Sequence, residues 1–315
     1  MLDMQGTDGG GGAVNAKMHH MVKSVVETVK AGAGANNGAA GMTITYNIGG
    51  MTSDASVDAM RSRSILDLWA FLVSLQGVQH VLEHQDDVKA RVLATLPLWN
   101  QMKGVIALDG LSVQLPFGAI AMKKLTERVA FTGVTPHGEF EVGLGFDGLT
   151  IPAGLLPPAF APLLPTAADT DFKLAIEGLD QVAKTAIADF DAKATPPMSP
   201  QNEAKLAGML MMGKPRLIVP PSHISSPSYT LTIQGELAIT MPKPTGKFTV
   251  SADGLDKTME IVQAAAKTNP QLQQAVPILT FIKGLAKPGA DGKPSWEIAL
   301  GPDGAVTVNG QKMGP

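Results

Sequence analysis

The chain has no cysteine, which rules out disulfides, thiolate metal ligands and thiol catalysis. Only 5% of its 315 residues are aromatic, too few for a platform on which nucleobases stack. The formal charge is -3 and no block of basic residues occurs, which argues against a protein that tracks a phosphate backbone. No run reaches the roughly 18 apolar residues that a membrane-crossing helix needs. The nearest, 65–75, is short enough to read as a buried helix. The start, Met1-Leu2-Asp3-Met4-Gln5, has no basic region followed by an apolar core, so no signal peptide is expected.

What is present is 44% apolar residues, enough to fill a core, arranged largely in alternation. Two stretches resemble one another: Phe172–Asp180 and Phe248–Asp256. Each alternates, breaks at Gly-Leu-Asp (Gly178-Leu179-Asp180 and Gly254-Leu255-Asp256) and continues into a helical pattern. The reading is strand, tight break, and a helix capped by the Asp. Leu108-Asp109-Gly110-Leu111 and Phe146-Asp147-Gly148-Leu149 echo it more weakly. Duplication of a strand-turn-helix unit explains the pair; chance alternation is the competing account.

Along the chain, residues 1–13 are Gly-rich and read as mobile. Val14, Met18, Met21, Val22, Val25, Val26 and Val29 fall on one helical stripe, with Asn15 as cap. Residues 31–41 read as a small-residue linker and 42–48 as a strand. Ser64-Ile65-Leu66-Asp67 resembles a capping box and opens a helix apolar nearly all round, which must be covered on most sides. A second helix follows, about Val78 to Leu96. From Val105 to Thr150 the pattern is β, with Phe140, Val142, Leu144 and Phe146 on one face and Glu139 and Glu141 on the other. Five prolines interrupt 151–165. Ser199-Pro200 opens a helix ended by Gly213. Tyr229–Met241 is the clearest strand, one side wet. Helices at 256–268 and 271–285 and a hairpin around Pro302-Asp303-Gly304 complete the chain. The expectation is an α+β fold: long, curved antiparallel sheet with helices packed on one face. The divisions are 1–41, 42–195 and 196–315, with one continuous domain as the alternative.

Leu66-Asp67-Leu68-Trp69-Ala70-Phe71, Leu96-Pro97-Leu98-Trp99, Gly148-Leu149-Thr150-Ile151-Pro152, Ala161-Pro162-Leu163-Leu164-Pro165 and Asp303–Gly310 together resemble an uncharacterised alphaproteobacterial cell-envelope family. That family is distantly similar to YdgA-type and AsmA-type proteins. The resemblance covers roughly 42–310 and implies a periplasmic-side location, long curved sheets and flanking helices. It brings no catalytic residues with it. Members of the family normally begin with a membrane-targeting segment and carry more β structure, and this chain departs from both.

His80-Val81-Leu82-Glu83-His84 spells H-x-x-E-H, in which His80 and His84 would bind zinc and Glu83 act as base. The competing account is a solvated stripe continued by Asp87 and Arg91, with no third ligand to assign. His19-His20 point about 100° apart on a helix and do not share a metal. The Gly run lacks the strand before it and the Gly-Lys-Ser/Thr after it that a phosphate loop needs. No catalytic residue and no cofactor is therefore assigned. The leading expectation is a non-catalytic envelope protein holding a hydrophobic ligand, a lipid, in the groove of the curved sheet. Leu155, Leu156, Phe160, Leu163, Met209 and Met212 are its expected lining. The partners expected are a lipid or another apolar small molecule, with peripheral contact to a membrane and no nucleic acid. A structural or protein-interaction module without a ligand is the second reading.

Overall fold

The computed structural model describes residues 1–31, 42–267 and 269–313. The expected linker at 31–41 lies almost wholly outside them. The strands are β1 (Leu2–Gly10), β2 (Ala13–Val22), β3 (Val25–Ala31), β4 (Met42–Ile48), β5 (Gly50–Met60), β6 (Gln101–Leu115), β7 (Gly118–Thr132), β8 (His137–Asp147), β9 (Ala167–Glu177), β10 (Arg216–Ser225), β11 (Thr230–Ala238), β12 (Thr245–Asp253), β13 (Lys287–Pro288), β14 (Pro294–Leu300), β15 (Val306–Val308) and β16 (Gln311–Met313). All pair antiparallel in one open, curved sheet. Its main path is β1-β2-β5-β6-β7-β8-β9-β10-β11-β12-β14-β15-β16; β3 pairs with β4, which joins β6, and β13 pairs with β14. The division expected at 195/196 falls inside this sheet.

Three groups of helices interrupt it. Between β5 and β6 stand α1 (Ser62–Ser74), α2 (Val78–Glu83) and α3 (Gln85–Thr95). Between β9 and β10 stand α4 (Leu179–Asp189) and α5 (Pro200–Met212). After β12 come α6 (Leu255–Ala266), α7 (Pro270–Gln273) and α8 (Ala275–Leu285). The first two groups leave the same end of the strands and are stitched together. Gln85 Nε2 donates to Asp191 at 3.1 Å, and Lys89 Nζ donates to the Ala188 carbonyl at 3.0 Å. The α6–α8 group leaves the opposite end and lies on the sheet: Trp296 Nε1 donates to the Ile282 carbonyl of α8 at 2.8 Å.

Both copies of the repeated unit fold alike. β9 runs through Gly178 (φ 71°, ψ 19°) into α4, and β12 runs through Gly254 (φ 75°, ψ 16°) into α6. The left-handed conformation explains the glycine in each, because a Cβ there is strained. The weaker echoes also carry left-handed glycines, Gly110 and Gly148. The Asp residues are not caps: Gly178 and Gly254 occupy the cap position. Asp180 instead accepts from Lys184 Nζ at 2.8 Å, and Asp256 from Lys283.

Several sequence-based expectations are corrected. The N-terminal stripe is not a helix but β2 and β3, and residues 1–13 are β1 and a turn of left-handed glycines, Gly10, Gly11 and Gly12. Val14, Met18 and Val22 satisfy a period of two as well as one of nearly four, and pairing with β1 and β5 decides between them. Asn15, expected as a cap, accepts the Ala59 N–H at 2.7 Å. The capping box does not form, since α1 begins at Ser62 and Ser64 already lies inside it. Nor is α1 covered on most sides. Ile65, Leu68 and Leu72 are half-buried, with Arg91 4.2 Å above the Phe71 ring, while Leu66, Trp69 and Val73 are exposed. The second helix breaks at His84 (φ -105°) into α2 and α3. The strand expected at 229–241 spans Thr230–Ala238. Ser199 does cap α5, accepting the Asn202 N–H at 3.2 Å, and Gly213 follows its last turn.

Candidate functional site: an open apolar sheet face

Successive residues of a strand point to opposite faces, and directly paired residues point to the same one. The register therefore sorts the sheet into rows. One row reads Gly6–Ala16–Val57–Met102–Phe131–Phe140–Leu174–Leu217–Leu237–Gly246–Leu300–Val306–Met313. It crosses every strand of the main path without a polar side chain. At about 4.8 Å per strand it runs roughly 58 Å along the sheet. The neighbouring row, Met4–Met18–Ala55–Gly104–Val129–Val142–Phe172, is apolar too.

This face is open where it should be most buried. Phe140 is 49% exposed, Leu144 52%, Phe172 47% and Leu174 44%, and Ile106 and Val142 are exposed beside them. Contiguous exposed apolar patches are uncommon on folded chains, and scattered single apolar residues are the norm. Helices flank this face. Leu179 of α4 packs over Gly138, whose missing side chain leaves the room, and Trp99 meets Phe131 edge-on at 5.7 Å.

Farther along the same face, α8 roofs a cavity of about 420 Å³. Leu231, Val250, Ala252, Trp296 and Ile298 form its floor; Leu279, Phe281, Ile282 and Leu285 of α8 form its roof. Every lining side chain is apolar, and the indole N–H is already bonded to the Ile282 carbonyl. The size and lining suit an apolar small molecule.

The opposite face carries cross-strand ion pairs. Arg128 bonds Asp169 and Asp171, the latter at 3.0 Å; Lys173 lies 3.4 Å from both Glu139 and Glu141; Lys247 pairs with Glu297 at 2.8 Å. Burial alone would lower the Arg128 pKa, but its two carboxylate partners outweigh that and raise it. These chains lie over small residues, Gly143 and Ala175, which are buried beneath them.

The six residues expected to line a groove are not brought together. Leu155, Leu156, Phe160 and Leu163 lie in and beside a 3-10 turn (Pro158–Leu163) near the start of β9, where the Leu163 carbonyl accepts from Tyr229 Oη at 3.2 Å. Met209 and Met212 border a hollow with Gly178 and Val182 at the end of β9. The length of β9, 11 residues, separates the groups by roughly 35 Å. Sequence reasoning missed α8 as a cavity wall and missed the openness of the face. The alternation Phe140-Val142-Leu144 was visible, but not whether anything covers it.

His80 Nδ1 donates to the Leu75 carbonyl at 2.8 Å, His84 Nδ1 lies 3.4 Å from Asp87, and Glu83 accepts from Gln79 at 3.4 Å. His84 closes α2, its N–H still bonded to the His80 carbonyl at 3.0 Å, but the two rings are held by different partners. Among the described residues no group of three or more His, Asp or Glu is placed to hold a metal ion. His19 pairs across strands with Asp54 at 2.7 Å. Among the described residues no helix is long and apolar enough to cross a membrane, which says nothing of strands. Comparison with protein families, with curated proteins and with solved structures finds no match.

Proposed function

We propose that this chain is a non-catalytic binder of an acyl-chain lipid, held along the apolar sheet face and beneath α8. The observation that carries the reading is the unbroken apolar row, exposed at Phe140 and Leu174 and sharing its face with an all-apolar cavity. Covering such surface is worth about 25 cal/mol per Å², and each methylene withdrawn from water about 0.8 kcal/mol. A chain laid across the strands meets no unpaired backbone group, because the sheet satisfies its own hydrogen bonds. The cell envelope is the location this reading favours, on the family resemblance alone.

A second reading, a protein-interaction module, draws on Leu66, Trp69, Val73 and Val78, exposed on α1 and α2 away from the sheet. Native mass spectrometry and solvent extraction of the purified chain separate the two. Co-purified lipid, displaced by phenylnaphthylamine, supports the first. A ligand-free chain that binds no apolar probe removes it and leaves the second.

A further inference from the structure

The apolar face carries one carboxylate in its central rows. Glu127 of β7 pairs with Ile106 on one side and Leu144 on the other, and its neighbours on the same face of its strand are Leu125 and Val129. Across the two apolar rows and the two adjoining them, the register places one other Asp, Glu, Lys or Arg: Asp8, on the edge strand β1, whose carboxylate accepts the Gly10 N–H at 2.8 Å. Glu127 is exposed and, among the described residues, has neither an ion pair nor a side-chain hydrogen bond. The carboxylates of the polar face show the contrast: Glu139, Glu141, Asp169 and Asp171 all have cationic partners.

Resting on the reading above, we infer that Glu127 is the headgroup anchor of the site and selects lipids that carry a free ammonium group. The argument is one of desolvation. A chain lying over Ile106 and Leu144 takes the Glu127 carboxylate out of water. Covering an ionised group without a partner is costly, and covering it with a cationic donor is not. An occupant of this floor therefore needs a group that pairs with Glu127, and nothing on the surrounding floor supplies one. An ammonium headgroup forms a charge-assisted hydrogen bond there; an uncharged or anionic headgroup leaves the carboxylate stranded.

The test uses the full chain and two monoacyl lipids of the same chain length, phosphatidylethanolamine and phosphatidylglycerol. Each displaces phenylnaphthylamine, with Glu127→Gln and Glu127→Leu compared against the unaltered protein at matched thermal stability. A charge-assisted bond of ordinary strength gives roughly a tenfold preference for the ethanolamine lipid. That preference vanishes in Glu127→Gln, while Glu127→Leu binds phenylnaphthylamine more tightly. Dodecylamine, included as a free amine, follows the ethanolamine lipid if the ammonium alone is read. Equal affinity for the two lipids, or a preference that survives both substitutions, overturns the inference and leaves lipid binding standing; Glu127 is then only a solubilising charge on an apolar face. If the unaltered chain binds neither lipid nor phenylnaphthylamine, the lipid reading falls and takes this inference with it.

Discussion

Arg128 on β7 reaches Asp171 on β9 by passing directly over Gly143 of the strand between them. A Cβ at Gly143 would stand 1.9 Å from Asp171 Oδ1 and 2.8 Å from Arg128 Nε. The glycine is there for the bridge, since its own φ is not in the left-handed region. Gly143→Ala is expected to break the bridge and cost about 1–3 kcal/mol. Thermal unfolding reads this as a drop of several degrees; an unchanged midpoint would show that the bridge moves aside freely.

The two repeated glycines are conformationally equivalent but sit in different surroundings. At Gly178 an added Cβ meets nothing within 4 Å, whereas at Gly254 it lands 2.1 Å from the Ser228 carbonyl oxygen. Gly178→Ala is expected to cost only the left-handed strain, about 1–2 kcal/mol. Gly254→Ala is expected to cost clearly more, because backbone must shift. Chemical denaturation of the two variants side by side ranks them, and equal losses would contradict the packing at Ser228.

Asp180 is buried and holds its carboxyl below the usual carboxylate range, chiefly through the bond from Lys184. Because the folded pKa is depressed, the associated stability is present above the unfolded value, near 3.9. It is lost as pH falls through the folded value. Asp180→Asn should thus lower the unfolding midpoint at pH 7, and the gap from the unaltered chain should close as the pH is taken below 4. A gap independent of pH would assign the effect to packing rather than charge.

Of three tryptophans, Trp296 alone lines the cavity and is 6% exposed. A variant with Trp69→Phe and Trp99→Phe leaves it as the sole indole reporter. Binding of an apolar probe beneath α8 is expected to change its emission, whereas Phe172→Ser, on the open part of the face, should weaken binding with little loss of stability. Emission that stays constant through saturation would place the occupant outside the cavity.

Most of the longer strands from β6 onward were legible because alternation there is unopposed, but β10, with Pro220 and Pro221 inside it, was not read as a strand. Phe140, Val142 and Leu144 face one way, Glu139 and Glu141 the other, and the turn residues fall where the chain reverses. The recurring Gly-Leu-Asp unit was legible because glycine best suits the left-handed joint. β2 was misread because Val14, Met18 and Val22 fit two periods at once. The apolar site was legible only in part. Alternation says which residues share a face, but it is silent on which strand lies beside which, and so the row from Gly6 to Met313 could not be assembled.

Local chemistry along the chain was sufficient to determine an antiparallel α+β architecture, its glycine joints and the greasy and wet sides of strands such as β8 and β11. These follow from interactions among near neighbours, which sequence order preserves. Strand order, register and the placement of α8 were decided only by the tertiary structure. They leave Phe140 and Leu174 uncovered, roof the cavity over Trp296, and strand Glu127 among apolar neighbours. Each depends on contacts between residues far apart in the chain, where many pairings satisfy the same alternation and only the assembled sheet selects one.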